Sequence, residues 1–348
     1  MTKKQIVKAI GFLILLSTVL YIVNKIYSIP EEYAINKLRY QTMYTEEENT
    51  WDAILIGTSV VDRAWAAPLA YNQTGLTMYP LSSDSQPIAL TTYIIEEAKK
   101  SQDIQLVVVD LHGIRSNSMN MKDSSLRRVV DTMKLSANKV DAIQYAFEYS
   151  KNLGGKEDKL RNKSIWDYYV PFFKYHERRD IQLSDILKEE DVMKGVNTRG
   201  AFKSKKQVKP ILTTTSGVLS ELQKEILTNI IDYCEENDIE LLFMSVPSYL
   251  TIMEQYEINA AFDFVKEMGC DTLNMNTKEA YEELKINYNK DFYNDIHMNS
   301  KGARKVTKYL ASYIDELYEY ADHREDERYV DWEEAYKSYE VYYEEGWK

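Results

Sequence analysis

The chain has 348 residues, 44% of them hydrophobic, enough to bury one large core, which excludes a disordered or low-complexity protein. A formal net charge of -12 excludes a nucleic-acid binder, because neutralising phosphates needs a surplus of Lys and Arg that is missing. The two cysteines, Cys234 and Cys270, are too few and too far apart for a thiolate metal site or a disulfide framework, and read as two buried free thiols, with a single bridge between them as the alternative. Residues 1–30 read as an uncleaved signal anchor. Its uncharged stretch from Ala9 to Val23, extended by Ile6 and Val7, gives a transmembrane helix at about 6–24, close to the ~20 residues that a bilayer requires. Lys3, Lys4 and Lys8 precede the stretch and only Lys25 follows closely, so the positive-inside bias predicts a cytoplasmic N-terminus and an extracytoplasmic remainder at the cell membrane.

Residues 31–50, rich in Tyr and Glu, read as a stalk, and residues 51–320 as one α/β domain. Strands are expected at Ala53 to Gly57, Thr77 to Leu81, Gln105 to Leu111, Ile239 to Val246 and Asp271 to Met275. Helical periodicity runs over Ile88 to Lys100, Leu219 to Glu236 and Ile252 to Met268, and again through Val306, Leu310, Ile314 and Leu317. Strands alternating with helices predict a central parallel sheet covered on both faces, with ligands at the carboxyl ends of its strands. The alternation lapses over residues 114–210, a helical insertion with aromatic clusters at Trp166 to Tyr169 and Phe172 to Tyr175, placed to act as a lid. Its basic residues Arg178, Arg179, Arg199, Lys203, Lys205, Lys206 and Lys209 form either a solvated face or a hold for an anionic polymer or head group. Residues 321–348 alternate acids with aromatics that either dock on the domain or stack on sugars.

The chemistry concentrates at two places. The run Ala53-Ile-Leu-Ile-Gly-Thr-Ser59 ends a buried strand on a small-residue turn that can open a helix, so Ser59 is exposed at the sheet edge beside converging backbone N–H groups. A serine hydroxyl needs an imidazole to take its proton. Of the four histidines only His297 stands between an acid and an asparagine ahead of a helix, with Asn299 or Ser300 as the expected N-cap. No metal-ligand spacing and no glycine-rich phosphate loop occurs, so no cofactor is expected.

Gly57-Thr-Ser59, the turn Leu81-Ser-Ser-Asp-Ser-Gln-Pro-Ile88 and Asn294-Asp-Ile-His297 together resemble the SGNH (GDSL-like) hydrolase superfamily. The longer segments Asp291 to Ala303 and Asp322-His-Arg with Trp332 to Tyr336 are similar to its membrane-anchored bacterial branch. That branch includes the D-alanyl transfer protein of lipoteichoic acid synthesis and the exopolysaccharide O-acetylation proteins. The resemblance implies a flavodoxin-like three-layer sandwich, Ser59 as nucleophile, His297 as base and the backbone amide at Ser82 as an oxyanion donor. The family acid falls on Asn294, which can orient the ring as an amide, so Asp295 or Asp291 is expected to supply the carboxylate. The family's third-block Asn is replaced by His112 after the strand ending at Leu111.

The expected function is that of an extracytoplasmic, membrane-anchored serine acyltransferase or esterase. Its substrates are O-acyl groups, acetyl or D-alanyl, of cell-surface polysaccharide or teichoic acid, and its partner is a multi-pass membrane O-acyltransferase. The alternative is a catalytically impaired member of the same fold that binds polymer or scaffolds that acyltransferase.

Overall fold

The structure, a computed structural model, describes residues 2–27, 34–179, 191–198, 200 and 210–345. Helix α1 (Lys3–Ile26) is capped by Thr2, whose hydroxyl accepts from the Gln5 amide while the Gln5 side chain returns to the Thr2 N–H. It is long and apolar enough to cross a membrane, and its apolar residues point outward on all sides.

Helix α2 (Ala34–Met43) leads to β1 (Ala53–Ile56), α3 (Ser59–Asp62), α4 (Ala67–Thr74), β2 (Met78–Pro80), α5 (Thr91–Ala98) and β3 (Leu106–Asp110). Then come α6 (Asp123–Val130), α7 (Ala137–Leu153), α8 (Trp166–Tyr169), α9 (Phe172–Tyr175), α10 (Glu221–Glu236), β4 (Glu240–Ser245), α11 (Ile252–Glu267), β5 (Asp271–Asn274) and α12 (Lys278–Glu283), followed by α13 (Ser300–Leu317) and α14 (Val330–Glu345). The strands form one sheet in the order β2-β1-β3-β4-β5, and every pairing is parallel. In register, Ile54 faces Tyr79 on one side and Val107 on the other, and Val107 faces Leu241. All residues of β1 and β3 are buried, as strands rich in Val, Ile and Leu must be when helices cover both faces. The α4–α13–α14 and α5–α7–α10 groups supply those covers. Strand order reverses between β1 and β3, and the crevice at such a switch point is where parallel sheets bind ligands.

Two expectations about organisation need correction. The stalk expected over residues 31–50 is, from Ala34 onward, part of the domain. Met43 is fully buried, Tyr40 joins the main core and Arg39 is 1% exposed, so this segment has the packing of a core helix. A buried arginine in a helix that packs on the core makes sense only with its partner, Asp62, which the linear sequence does not reveal. In the described part of the segment read as an insertion, α6 and α7 place Leu126, Val130, Ile143 and Ala146 in the main core rather than standing off as a separate lid. Arg199, Lys203, Lys205, Lys206 and Lys209 lie outside the described residues, as does Trp347 of the tail.

The acidic tail docks. Trp332 and Tyr339 on α14 are fully buried, Tyr71 of α4 lies 5.7 Å from the Trp332 ring, and His323 Nε2 meets Asp52 Oδ1 at 2.9 Å. Cys234 and Cys270 are unbridged. Burial pushes the Cys234 thiol up to about 12 and the Cys270 thiol to about 11, so neither is a nucleophile near neutral pH.

Candidate active site

β1 delivers its chain end to Gly57, Thr58 and Ser59 at the carboxyl edge of the sheet. The Thr58 side chain accepts from the Val60 amide, ending the strand and starting α3. A Cβ on Gly57 would lie 2.6 Å from Asp110 Cβ at the end of β3 and 2.7 Å from Val61 Cγ1, so only glycine lets the neighbouring strand ends close. Gly57→Ala must part β1 from β3, and is expected to lower stability by ~1–3 kcal/mol, the usual cost of overpacking, while displacing Ser59. Thermal unfolding together with the rate of Ser59 modification checks this.

His297 arrives from the far end of the chain. The loop between α12 and α13 folds on itself through an antiparallel bridge between Phe292 and Met298, and the Tyr293 amide donates to the His297 carbonyl at 2.8 Å. Asn299 caps α13, its side-chain oxygen accepting from the Lys301 and Gly302 amides, while its Nδ2 donates to the Lys290 carbonyl at 2.8 Å. Gly302 is needed because a Cβ there would lie 2.2 Å from the Asp291 carbonyl oxygen. The loop is tied to the sheet by the Tyr249 amide, which donates to the Asp295 carbonyl at 3.0 Å. The result brings Ser59 Oγ to 2.7 Å from His297 Nε2, across 238 residues, with both side chains partly exposed.

Asn294 stands at the other ring nitrogen. Its Oδ1 accepts from the Ile296 amide at 3.1 Å and the His297 amide at 2.9 Å, and its Nδ2 is 3.1 Å from His297 Nδ1. Two backbone donors on Oδ1 fix which way the amide faces, so Nδ2 donates and Nδ1 accepts. In a neutral ring the proton then resides on Nε2, which donates to Ser59 Oγ. To take the serine proton the ring must adopt its other tautomer and give up the Asn294 bond, which would otherwise contribute about 1 kcal/mol.

Neither expected carboxylate meets the His297 ring in a hydrogen bond or ion pair. Asp291 is 2% exposed and holds the loop, its Oδ2 accepting from Lys305 Nζ and from the Asn287 amide, both at 2.7 Å. The Asp295 side chain is exposed, and its main-chain carbonyl takes the Tyr249 bond. Ser82 is 1% exposed. Its hydroxyl donates to Asp62 Oδ1 at 3.1 Å and its carbonyl accepts from Arg39 Nη1 at 2.6 Å, while the neighbouring Leu81 and Ser83 amides extend the pairing with β1. Asn117, beyond the third strand, donates to Glu254 at 2.8 Å.

Two groups beneath the site escape a linear reading. Asp62, three residues after Ser59, is a buried hub: Arg39 pairs with its Oδ1, Asn197 Nδ2 donates to its Oδ2 at 2.6 Å, and Arg63 lies 3.5 Å from Oδ2. The second is a chain of side chains from Asp110 Oδ1 to His112 Nδ1 at 2.7 Å and from His112 Nε2 to Ser248 Oγ at 2.6 Å. It has the connectivity of a serine triad, but His112 and Ser248 are 0% exposed and Asp110 1%, so substrate has no access to it. It links the β3 end, against Gly57, to the Ser248–Tyr249 turn that holds the His297 loop. The only sequence signal for it was an Asp-x-His pair closing an apolar strand.

The site thus presents an accessible serine–imidazole pair, with an amide on the distal nitrogen, at the switch point of a parallel sheet. No family model matches the chain, and no curated protein does.

Proposed function

We propose that the chain is a membrane-anchored serine acyltransferase or esterase of SGNH type. It would act on O-acyl groups, acetyl or D-alanyl, of a cell-surface polysaccharide or teichoic acid, with its domain on the extracytoplasmic side. The observation that carries the reading is the 2.7 Å contact of Ser59 Oγ with His297 Nε2. In this reading the ring, in its Nδ1–H form, takes the Ser59 proton as Oγ attacks the acyl carbonyl. The same proton returns to the leaving alkoxide, giving an acyl-serine. A glycan hydroxyl or water then attacks that ester, its proton passing to His297 and on to Oγ. The amides of Ser59 and Ser82 would hold the oxyanion, a role worth about 3 kcal/mol for a single donor. The strand order and the late position of the histidine loop support a flavodoxin-like SGNH sandwich, and α1 supports tethering beside a membrane-borne acyl donor, where effective concentration is high.

One observation favours a second reading. The Asn294 amide, by donating to Nδ1, stabilises the tautomer in which the ring cannot act as base, as in a polymer-binding or scaffolding partner of a membrane O-acyltransferase. Full-length protein in detergent, treated with a serine-reactive fluorophosphonate, separates the two. Slow labelling that Ser59→Ala and His297→Ala both abolish is the result expected of the enzyme. Folded wild-type protein that stays unlabelled would hand the site to the binding reading.

A further inference from the structure

Helices α8 and α9 carry an outward-facing aromatic surface that the proposed acyl chemistry does not use. Trp166 is 64% exposed and Phe173 51% exposed, with the Tyr169 ring edge-on to Trp166 at 5.6 Å. Large aromatics left in water are costly, and a cluster of them marks a surface that something covers. The position of α1 says what covers it. The Phe172 amide donates to Asn24 Oδ1 at 3.1 Å, and the Tyr27 ring meets the Phe172 ring edge-on at 5.6 Å. Val23, Asn24, Ile26 and Tyr27 are accordingly half-buried, whereas every residue from Ile10 to Ile22 is exposed.

The depth follows from helix geometry. The stretch apolar enough to cross a membrane ends at Asn24, so Tyr27 lies three residues further on, a rise of about 4.5 Å. The head-group layer on each side of the hydrocarbon core is roughly 5–7 Å thick. Tyr27, and with it Phe172, therefore falls within that layer, and the α8–α9 surface is held beside it. Trp and Tyr prefer this depth, where a ring is half in apolar and half in polar surroundings. Charge agrees. Residues 161–180 contain five Lys and Arg (Arg161, Lys163, Lys174, Arg178, Arg179), of which Lys163 pairs with Asp123 at 3.1 Å, against three acids, Asp167, Glu177 and Asp180, in a chain whose net charge is -12. A local basic excess in an acidic protein suits an anionic lipid surface.

We propose that the α8–α9 surface, through Trp166 and Phe173, is a second membrane contact that lies in the outer head-group layer and fixes the orientation of the domain on the bilayer. This rests on the reading of α1 as a membrane span. It replaces the role of a lid over the site with that of a platform on the lipid.

The test uses full-length protein in nanodiscs that contain anionic lipid. Trp166 emission is obtained as the difference between wild type and Trp166→Phe, an exposed position that tolerates the change. Phospholipids brominated near the glycerol end of their chains are expected to quench that difference signal, and lipids brominated near the chain ends to quench it less. Leu16→Trp in the Trp166→Phe background reports the span separately, through quenching by the deeply brominated lipid. Quenching at both positions supports the proposal. A quenched Leu16→Trp with an unquenched Trp166 overturns it and leaves the anchor standing. Loss of both overturns the span and the platform together. Trp166 shielded from iodide but not quenched by brominated lipid would place a protein surface over the patch, and would also overturn it.

Discussion

Asn294→Asp is expected to raise the reactivity of Ser59 by on the order of 10²- to 10⁴-fold, the range bounded by what the reverse change costs a serine protease through the wrong histidine tautomer. The backbone already suits a carboxylate. One oxygen would keep the Ile296 and His297 amides that Oδ1 now accepts, and the other would face Nδ1 at the place of Nδ2, 3.1 Å away. A carboxylate there can only accept, so the ring must place its proton on Nδ1 and turn the Nε2 lone pair toward Ser59 Oγ. It also stabilises the imidazolium formed on proton transfer, which an amide cannot. The measurement is the second-order rate of fluorophosphonate labelling for wild type, Asn294→Asp and Asn294→Asp with Ser59→Ala. A rate unchanged by Asn294→Asp would mean that residue 294 does not set the tautomer. Labelling that persisted in the double variant would place the reactive serine elsewhere.

Much of this was legible in the sequence because it depends on local chemistry. Strands β1 and β3 announce themselves as short apolar runs of Val, Ile and Leu, and the start of α13 as Asn299 before a helical repeat. Ser59 and His297 stand out because a strand-ending Gly-Thr-Ser and a loop histidine ahead of a capped helix are each recognisable alone. Other features exist only between distant segments. Arg39 in Ala-Ile-Asn-Lys-Leu-Arg looks like one solvated charge among others, and only the fold sets Asp62 against it. His112 looks like the end of a strand until Ser248, 136 residues later, closes on it. Asp295 is nearer to His297 in sequence than Asn294 is and Asp291 lies only one turn of chain further off, yet the fold aims Asp291 at Lys305 and leaves Asp295 facing solvent. In the tail, the alternation of acids and aromatics hid a helix whose Trp332 and Tyr339 are core residues.

Arg39→Ala is expected to cost about 3–5 kcal/mol of stability, the penalty for stranding one member of a buried ion pair. Arg39 and Asp62 side chains are each 1% exposed, and the guanidinium also donates to the carbonyls of Ser82 and Gly195. Its loss leaves a carboxylate without its main counter-charge, three residues from Ser59 and on the same short helix. Arg63, 3.5 Å away, and the hydroxyl and amide donors of Ser82 and Asn197 compensate only in part. Local repacking of the site should follow, so Ser59 labelling should fall in protein that is still folded. The origin of the penalty can be isolated. Asp62→Asn alone removes a charge that Arg39 still needs and should also destabilise, but combined with Arg39→Ala it removes the stranded charge. The double variant is therefore expected to be more stable than Arg39→Ala alone, a sign of coupling that independent packing defects would not produce. Denaturant unfolding of the three variants measures it. If the two losses simply add, burial of the ion pair is not what holds the helix that carries Ser59 to α2 and to the turn at Ser82.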